Sequence, residues 1–436
     1  MIGFAGLSHL GIHYSLATAA KGFDVIAFDP SPELVANLGK GRFPVVEPGL
    51  RELFDAHHKR VRYSADPRDL SGCELVFVAL DITTDDSNRS DAAPVLSLIG
   101  QIASHIAKGA TLVVLSQVNP GFTRRLRGEL LGSCAAAEIY YQVETLIFGR
   151  AVERALHPER FMVGAADPAR PLPEAFRRWH QSFGCPVLLM GYESAELAKV
   201  AINFFLVASV STTNLLAELC ETIGADWTEI APALRLDKRI GPHAYLNPGL
   251  GIAGGNLERD LVTVKRLAEG SEVDTGMVDA WIHNSLHRRD WLPRTLQRAF
   301  QKRGIPAGAA TVAIWGLAYK EHTDSIKNSP SLAFISRIPD CRKQAYDPVV
   351  KLPSHPKFEQ RASAIECCQG ADVLVIPTPW PEFRQVDVKA VRAVMSGSII
   401  LDPFGMLDGA IAAAVGFDYY RLGTPPRYAA DARTKP

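Results

Sequence analysis

Three polar residues in the middle of the chain have side chains that could act on an oxygen atom of a substrate. Lys199 and Asn203 are four residues apart in a helix-like segment, so their side chains would share one helix face. A lysine can stabilise a developing alkoxide, and an asparagine can donate to the same oxygen. Asp260 could order a water molecule or accept a proton. Taken alone, Lys199 and Asn203 favour a simpler interpretation, a solvated helix face with a cap or core asparagine.

A glycine-rich turn near residue 6 has the spacing of a dinucleotide-binding loop. Gly6-x-Ser8-x-x-Gly11 follows a short apolar run, and Asp29 ends the next apolar run 18 residues after Gly11. In such loops the glycines make the tight turn, admit the diphosphate and let the helix pack on the strand, and the acid accepts from the ribose 2′-OH of NAD. The alternative is a glycine turn in some other doubly wound domain. The predicted cofactor-binding residues here are Gly6, Ser8, His9, Leu10, Gly11 and Asp29.

Alternating apolar runs and helix-like segments predict the elements that position these residues. Runs at 75–79 and 111–115 continue the first α/β pattern, and a second one begins at 311. Between them, 193–223 predicts one long helix of about 45 Å. We therefore expect an α/β protein with two Rossmann-like doubly wound domains joined by a central helical domain with one long helix.

Composition excludes several classes of function. The 436 residues carry 47 Lys and Arg against 47 Asp and Glu, which argues against a nucleic-acid binder. Seven scattered cysteines without zinc-site spacing predict no metal site and a reducing compartment, and no secretion signal is apparent, so we expect a cytoplasmic protein. The uncharged segment 200–217 is long enough to span a membrane, but its asparagines and hydroxyl residues favour a buried helix, and no membrane association is expected.

Further segments, in order along residues 1 to 425, resemble the UDP-glucose/GDP-mannose dehydrogenase family. The resemblance rests on Gly41-Arg-Phe-Pro-Val-Val-Glu-Pro-Gly-Leu50, Glu144 to Gly164, Glu193-x-x-Glu-Leu-Ala-Lys199-x-x-x-Asn203, Leu236-Asp-Lys-Arg239-Ile-Gly241, Leu246-Asn-Pro-Gly249, Gly254-Gly255 to Asp260, Gly316-Leu-Ala-Tyr-Lys320, Lys327-x-Ser-Pro330, Tyr346-Asp-Pro348 and Trp380-Pro-Glu-Phe383. It implies NAD as cofactor, a nucleotide sugar (a UDP-hexose) as substrate and a homodimer across the long helix. The expected domains are then 1–190 for NAD, 191–303 for the helical dimerisation domain and 304–436 for the UDP-sugar.

The resemblance also assigns roles to individual residues. Lys199 and Asn203 would hold the oxygen being oxidised, with Asp260 beside them, and Arg239 would reach the substrate of the partner subunit. Lys320 would contact substrate and cofactor from the C-terminal domain. The other expected substrate contacts are Glu144, Tyr245, Asn247, Gly249, Gly254 and Phe404.

The chain departs from the family at four positions around the reaction centre. In the family, a cysteine traps the aldehyde formed by the first hydride transfer, a second NAD⁺ oxidises the adduct to a thioester, and water releases the uronate. Asn256 stands at that cysteine here, and Asn is no covalent nucleophile at neutral pH. Gln117 replaces a water-holding threonine, Phe148 replaces a second glutamate while Glu144 keeps the first, and Phe404 replaces an arginine. Gln117, Glu144 and Asn256 complete the predicted catalytic set.

These departures leave several functions open. The leading hypothesis is an NAD-dependent oxidoreductase that stops at a two-electron product; a transient oxidation would give an epimerase instead. Oxidation of an aldehyde hydrate, with water held by Asn256 and Asp260, would still allow four-electron chemistry. A β-hydroxyacid dehydrogenase is disfavoured by the second α/β pattern and by Glu47-Pro-Gly49. A non-catalytic protein that binds NAD and a nucleotide sugar is the remaining hypothesis.

Overall fold

A computed structural model of the chain describes residues 1–83, 85, 90–130, 138–252 and 256–429. The strands are β1 Ile2–Ala5, β2 Val25–Phe28, β3 Val61–Ser64, β4 Leu75–Val78, β5 Thr111–Val114, β6 Glu138–Gln142, β7 Phe161–Ala165, β8 Val187–Gly191, β9 Thr311–Trp315, β10 Arg342–Tyr346, β11 Glu359–Gln360, β12 Val373–Val375, β13 Ile399–Leu401 and β14 Asp418–Tyr420.

Helices connect most of these strands and fill the segment between the two sheets. They are α1 His9–Ala20, α2 Pro32–Leu38, α3 Leu50–His57, α4 Ala93–Ile102, α5 Phe122–Leu130, α6 Ala151–Leu156, α7 Glu174–Gln181, α8 Tyr192–Ile223, α9 Trp227–Leu236, α10 Asn256–Ala268, α11 Gly276–Arg289, α12 Trp291–Arg303, α13 Pro330–Arg337, α14 Ala364–Cys367, α15 Val388–Val394 and α16 Gly409–Ala414. Short 3₁₀ helices cover His58–Arg60, Pro67–Gly72, Ala307–Ala309 and Pro381–Gln385.

The chain divides into two compact units, Met1–Ile202 and Asn203–Pro436. The sheet of the first unit has the order β3-β2-β1-β4-β5-β6-β7-β8. Its first six strands are parallel, whereas β7 runs antiparallel to β6 and β8 is parallel to β7. The β3-β2-β1-β4-β5-β6 part is the order of a dinucleotide-binding doubly wound sheet.

Strands at the centre of this sheet are buried on both faces, as a sheet covered by helices requires. Ile2 and Phe4 of β1 pack in the core on one side, and Ala5 packs in the core on the other. Successive side chains of a strand point to opposite faces, so a continuous apolar run serves both cores. Because β1 and β2 are parallel, their carboxyl ends lie side by side, and the predicted cofactor turn follows the end of β1.

The second unit contains helices α9 to α12 and a six-stranded parallel sheet. Its sheet has the order β11-β10-β9-β12-β13-β14, which repeats the order seen in the first unit. The expected fold class, two Rossmann-like sheets with helical structure between them, is therefore confirmed. The three domain boundaries given above stay predictions.

Helix α8 is the longest described helix, with 32 residues. By length and composition it is long and apolar enough to cross a membrane. Its buried polar side chains are used inside the fold, because Asn214 Oδ1 accepts from Gly249 N at 2.7 Å and Thr213 Oγ1 donates to Tyr245 O at 3.0 Å. These bonds favour the interpretation of α8 as a core helix of the protein.

Candidate cofactor and substrate sites

The turn between β1 and α1 has the backbone geometry that the glycine spacing predicts. Gly6 has φ +90°, and a Cβ at Gly11 would lie 1.9 Å from the carbonyl O of Gly6. Only glycine fits at either position, since the first requires a left-handed backbone and the second lets α1 approach the strand closely. The first and third glycine roles of a dinucleotide turn are therefore present.

Ser8, at the middle position of the glycine motif, is hydrogen-bonded to the loop that follows β4. Its Oγ donates to Ala79 O at 3.3 Å and accepts from Asp81 N at 2.8 Å. Asp81 in turn accepts from the backbone N–H of Leu10, with Oδ2 at 3.1 Å. The N-terminal N–H groups of this helix are the donors that bind a cofactor diphosphate. One of the donors predicted for NAD is thus already bonded to an internal carboxylate, which the sequence analysis missed.

Asp29 lies directly after β2, where an acid that binds the cofactor ribose is expected. It is 7% exposed, and it accepts from Leu7 N at 2.9 Å and from Ser31 N at 3.0 Å. These bonds fix the carboxylate beside the turn between β1 and α1. The turn and Asp29 therefore fit NAD. Asp81 opposes binding of the cofactor diphosphate, because its carboxylate already accepts from Leu10 N.

The first unit also brings together two predicted catalytic residues. Lys199 Nζ lies 2.8 Å from Glu144 Oε1 and donates to the Glu144 carbonyl O at 3.1 Å. Both side chains are mostly buried, at 12% and 16% exposure. An ammonium held this way is preorganised to stabilise negative charge on an oxygen. Gln117 follows β5 and is half-buried.

The second unit pairs the other predicted residues. Asn203 Nδ2 donates to Asp260 Oδ2 at 2.5 Å, and both residues are buried. Arg259 Nε donates to Asp260 Oδ1 at 3.2 Å and is itself 6% exposed. The sequence analysis missed Arg259, which only its place beside Asp260 could have indicated. Asn256 begins α10, one turn before Asp260, and its side chain lies outside what the structure describes.

The predicted substrate residues before α10 form a loop that α8 holds. Gly249 is bonded to Asn214, as described above, and Tyr245 is 47% exposed. Arg239 is 89% exposed and pairs with Asp237 at 2.6 Å, so within one chain it points to solvent. Gly254 lies outside the described residues.

A cavity of about 510 Å³ in the second unit contains two of the predicted substrate residues, Asn247 and Phe404. Three arginines line it together with one carboxylate, Glu321. The lining arginines are Arg235, Arg384 and Arg421. A pocket of this size and charge suits an anionic organic ligand. Lys320 immediately precedes Glu321 and is half-buried.

The guanidinium of Arg421 lies in the space that a side chain at position 405, next to Phe404, would otherwise fill. A Cβ at Gly405 would lie 2.5 Å from the guanidinium carbon of Arg421. The preceding Asp402 is fully buried and accepts from Leu407 N and from the Tyr419 hydroxyl, both at 2.8 Å, which fixes this loop. A guanidinium therefore lies next to position 404 although residue 404 itself is phenylalanine. The sequence analysis missed Arg421 because no motif marks it.

Comparisons with known proteins agree with both units. Residues 1–183 match the NAD binding domain of the UDP-glucose/GDP-mannose dehydrogenase family, 193–285 its central domain and 313–409 its UDP binding domain. A UDP-glucose 6-dehydrogenase of Pseudomonas aeruginosa is 29% identical over 96% of each chain. One of Rickettsia bellii is 26% identical over 97% of this chain and 99% of its own.

Solved structures share the fold over nearly the whole length. A UDP-D-ManNAc dehydrogenase from Pyrococcus horikoshii has a TM-score of 0.83 at 23% identity and covers 97% of this chain and 99% of its own. A UDP-glucose dehydrogenase from Pyrobaculum islandicum has a TM-score of 0.80 at 24% identity, with coverages of 92% and 93%. The chain is thus an NAD-dependent, nucleotide-sugar dehydrogenase-like enzyme, and it belongs to the UDP-glucose/GDP-mannose dehydrogenase family.

Proposed function

We propose that this enzyme oxidises the sugar of a UDP-hexose by a single hydride transfer and lacks the covalent second oxidation. The observation that carries the proposal is Asn256, which aligns with the nucleophilic cysteine. The other polar residues to which the resemblance assigns a role are kept: Lys199 pairs with Glu144 in the first unit, and Asn203 pairs with Asp260 in the second. An oxyanion can therefore still be stabilised, whereas no thiolate is available at position 256 to trap an aldehyde.

The reaction balances without a covalent intermediate. When bound at the turn between β1 and α1, NAD⁺ would supply the acceptor for the hydride that leaves the sugar carbon bearing the alcohol. The alcohol proton leaves the oxygen, and Lys199 stabilises the alkoxide as the C–H bond breaks. Asp260, held by Asn203 and Arg259, orients a water that carries the proton away. The products are a carbonyl compound, NADH and one proton.

The cavity of the second unit has a lining that could bind the nucleotide part of this substrate. Its three arginines can neutralise a diphosphate, and the half-buried Phe404 offers planar apolar surface to a base or sugar ring. Arg421 supplies the guanidinium that position 404 lacks. A UDP-hexose is therefore the substrate class we expect. We also expect the enzyme to be cytoplasmic.

The test is incubation of the purified enzyme with NAD⁺ and a panel of UDP-sugars, with NADH absorbance and product mass followed together. We expect one NADH per sugar and a product lighter by two hydrogens. A sugar converted at unchanged mass without NADH would replace the proposal by epimerisation with retained cofactor. Binding without turnover, unaffected by Lys199→Ala, would replace it by a non-catalytic function.

Asn256→Cys tests the role of the missing nucleophile, with Asn256→Ser as a matched control that offers no thiol. The cysteine variant is expected to raise the yield from one NADH to two per sugar and to release a uronate, because a thiohemiacetal can then be oxidised. The serine variant should stay at one NADH. A uronate made by the wild type, with every cysteine dispensable, would instead show oxidation of an aldehyde hydrate and contradict the proposal.

A further inference from the structure

Two histidines and a glutamate lie together in the first unit, beside the cofactor turn. One ring nitrogen of His9, one ring nitrogen of His13 and a carboxylate oxygen of Glu47 all lie within 4.8 Å of one another. His9 and His13 are one turn apart on α1, so both rings project from one helix face. Glu47 comes from the loop before α3, and its Oε1 lies 3.0 Å from His9 Nε2.

His13 is a fully buried imidazole with one unused nitrogen. Its Nδ1 lies 2.6 Å from the His9 carbonyl O, an acceptor that fixes the proton on Nδ1 and leaves a lone pair on Nε2. That Nε2 has no hydrogen-bond partner among the described residues. A metal-binding histidine has this arrangement, with one nitrogen held by a carbonyl and the other open.

Glu47 supplies the negative charge and is held rigidly. Gly149 N donates to both carboxylate oxygens, at 3.0 and 2.9 Å. These two hydrogen bonds fix the orientation of the carboxylate. The ring of Phe148 packs on the His9 ring, with centroids 4.4 Å apart.

We propose that His9, His13 and Glu47 bind a divalent transition-metal ion, best met by Zn²⁺. Two imidazoles and one carboxylate are a ligand set that zinc accepts, with the fourth position left to water, whereas Mg²⁺ and Ca²⁺ prefer oxygen ligands. The ion would satisfy the open Nε2 of His13 and would be neutralised in part by Glu47. A helix N-terminus disfavours a cation, but the carboxylates of Glu47 and Asp81 beside the first turn of α1 offset that effect.

This site departs from the sequence-based expectation of no metal, which rested on cysteine spacing. It adds to the proposed function: His9 is also a predicted cofactor-binding residue, but the proposed oxidation has no step that the ion carries out. Its expected effect is structural: the ion would tie the first turns of α1 to the loop that contains Glu47. The competing interpretation is a His9–Glu47 ion pair with His13 as an ordinary core histidine.

The test uses the full chain after treatment with a chelator, titrated with Zn²⁺ and with Co²⁺. We expect one equivalent of Zn²⁺ to bind and to raise the unfolding temperature by several degrees. Bound Co²⁺ should show d–d bands without a thiolate charge-transfer band, and X-ray absorption of the zinc form should show imidazole and oxygen but no sulfur ligands. Absence of stoichiometric binding, or sulfur ligation by the free cysteines, would overturn the proposal.

His13→Gln and Glu47→Gln each remove one ligand and should weaken Zn²⁺ binding by at least about tenfold. His180→Gln is the matched control, since His180 is a second buried histidine of this unit with an unpartnered nitrogen, and it is bonded to Gln142. The control should bind Zn²⁺ as the wild type does. Equal binding by all three variants would contradict the assignment, and the absorption spectra of the wild type decide it if a variant fails to fold.

Discussion

At the scale of single residues, we expect the carboxylate of Asp81 to oppose binding of the cofactor diphosphate. Asp81 Oδ2 accepts from Leu10 N in the first turn of α1, where we expect the diphosphate of NAD to bind. Asp81→Asn keeps an acceptor for this N–H but removes the negative charge. We expect NAD⁺ to bind about fivefold more tightly, from a gain of about 1 kcal/mol at a helix N-terminus, measured by calorimetric titration.

The control is Asp24→Asn, which removes an exposed charge just before β2, at the opposite end of the strands. It should leave NAD⁺ affinity unchanged. Unchanged or weaker binding by Asp81→Asn would mean that the carboxylate moves aside at no cost when the diphosphate enters.

Residues in contiguous motifs were predictable, whereas residues that meet across the chain were not. Lys199, Glu144, Asn203 and Asp260 were predicted from their motifs, and the structure pairs them. Asp81 is 71 residues from Leu10, its partner. No local pattern records such a contact, because it depends on two strand ends meeting at one edge of the sheet.

At the scale of elements, the packing of α1 on β1 depends on the absence of a side chain at Gly11. A Cβ there would lie 1.9 Å from Gly6 O, a backbone atom that cannot move without disturbing the turn. Gly11→Ala should therefore cost about 3 kcal/mol or more, seen as a lower thermal unfolding midpoint and weaker NAD⁺ binding.

Gly100→Ala is the matched control for this substitution, because Gly100 lies in α4 with no atom within 4 Å of an added Cβ. It should gain about 0.5–1 kcal/mol from helix propensity. Equal effects of the two substitutions would show that the close approach of α1 to the strand does not limit stability.

Element positions followed from apolar runs, but strand direction did not. The predicted long helix 193–223 is Tyr192–Ile223, and the apolar run at 111–115 is β5 Thr111–Val114. A doubly wound domain, the fold that the alternating pattern predicts, has mostly parallel strands, yet β7 runs antiparallel to β6. A short apolar strand carries the same pattern in either direction, and its orientation depends on the connection that precedes it.

At the scale of the whole molecule, the same turn occurs in both units: a left-handed glycine follows one strand, and an acid after the next strand accepts from the turn. Gly6 after β1 and Gly316 after β9 both have left-handed φ angles, +90° and +99°. The acid after the next strand, Asp29 or Asp347, accepts from a backbone N–H of that turn in each case. The same strand order and the same acid-to-turn bond therefore occur in both units.

The second half of α8 carries an exposed apolar stripe that supports the predicted homodimer. Phe205, Leu216, Leu219 and Ile223 share one helix face and are 79%, 40%, 49% and 65% exposed. From Phe205 to Ile223 this face extends about 27 Å, with Ser209 and Thr212 lying between Phe205 and the apolar residues of the last two turns. Water contact with such a surface is unfavourable, and a second copy of the same stripe would cover it in a symmetric pair.

We expect the wild type to be a dimer by light scattering at micromolar concentration, because pairing two α8 stripes removes their apolar area from water. Phe205→Glu combined with Ile223→Glu places like charges in that contact and should yield monomers with their secondary structure intact. Val273→Glu changes a side chain that is 63% exposed outside α8 and should leave the dimer unaffected. A monomeric wild type, or dissociation by Val273→Glu as well, would show that α8 is not the dimer contact.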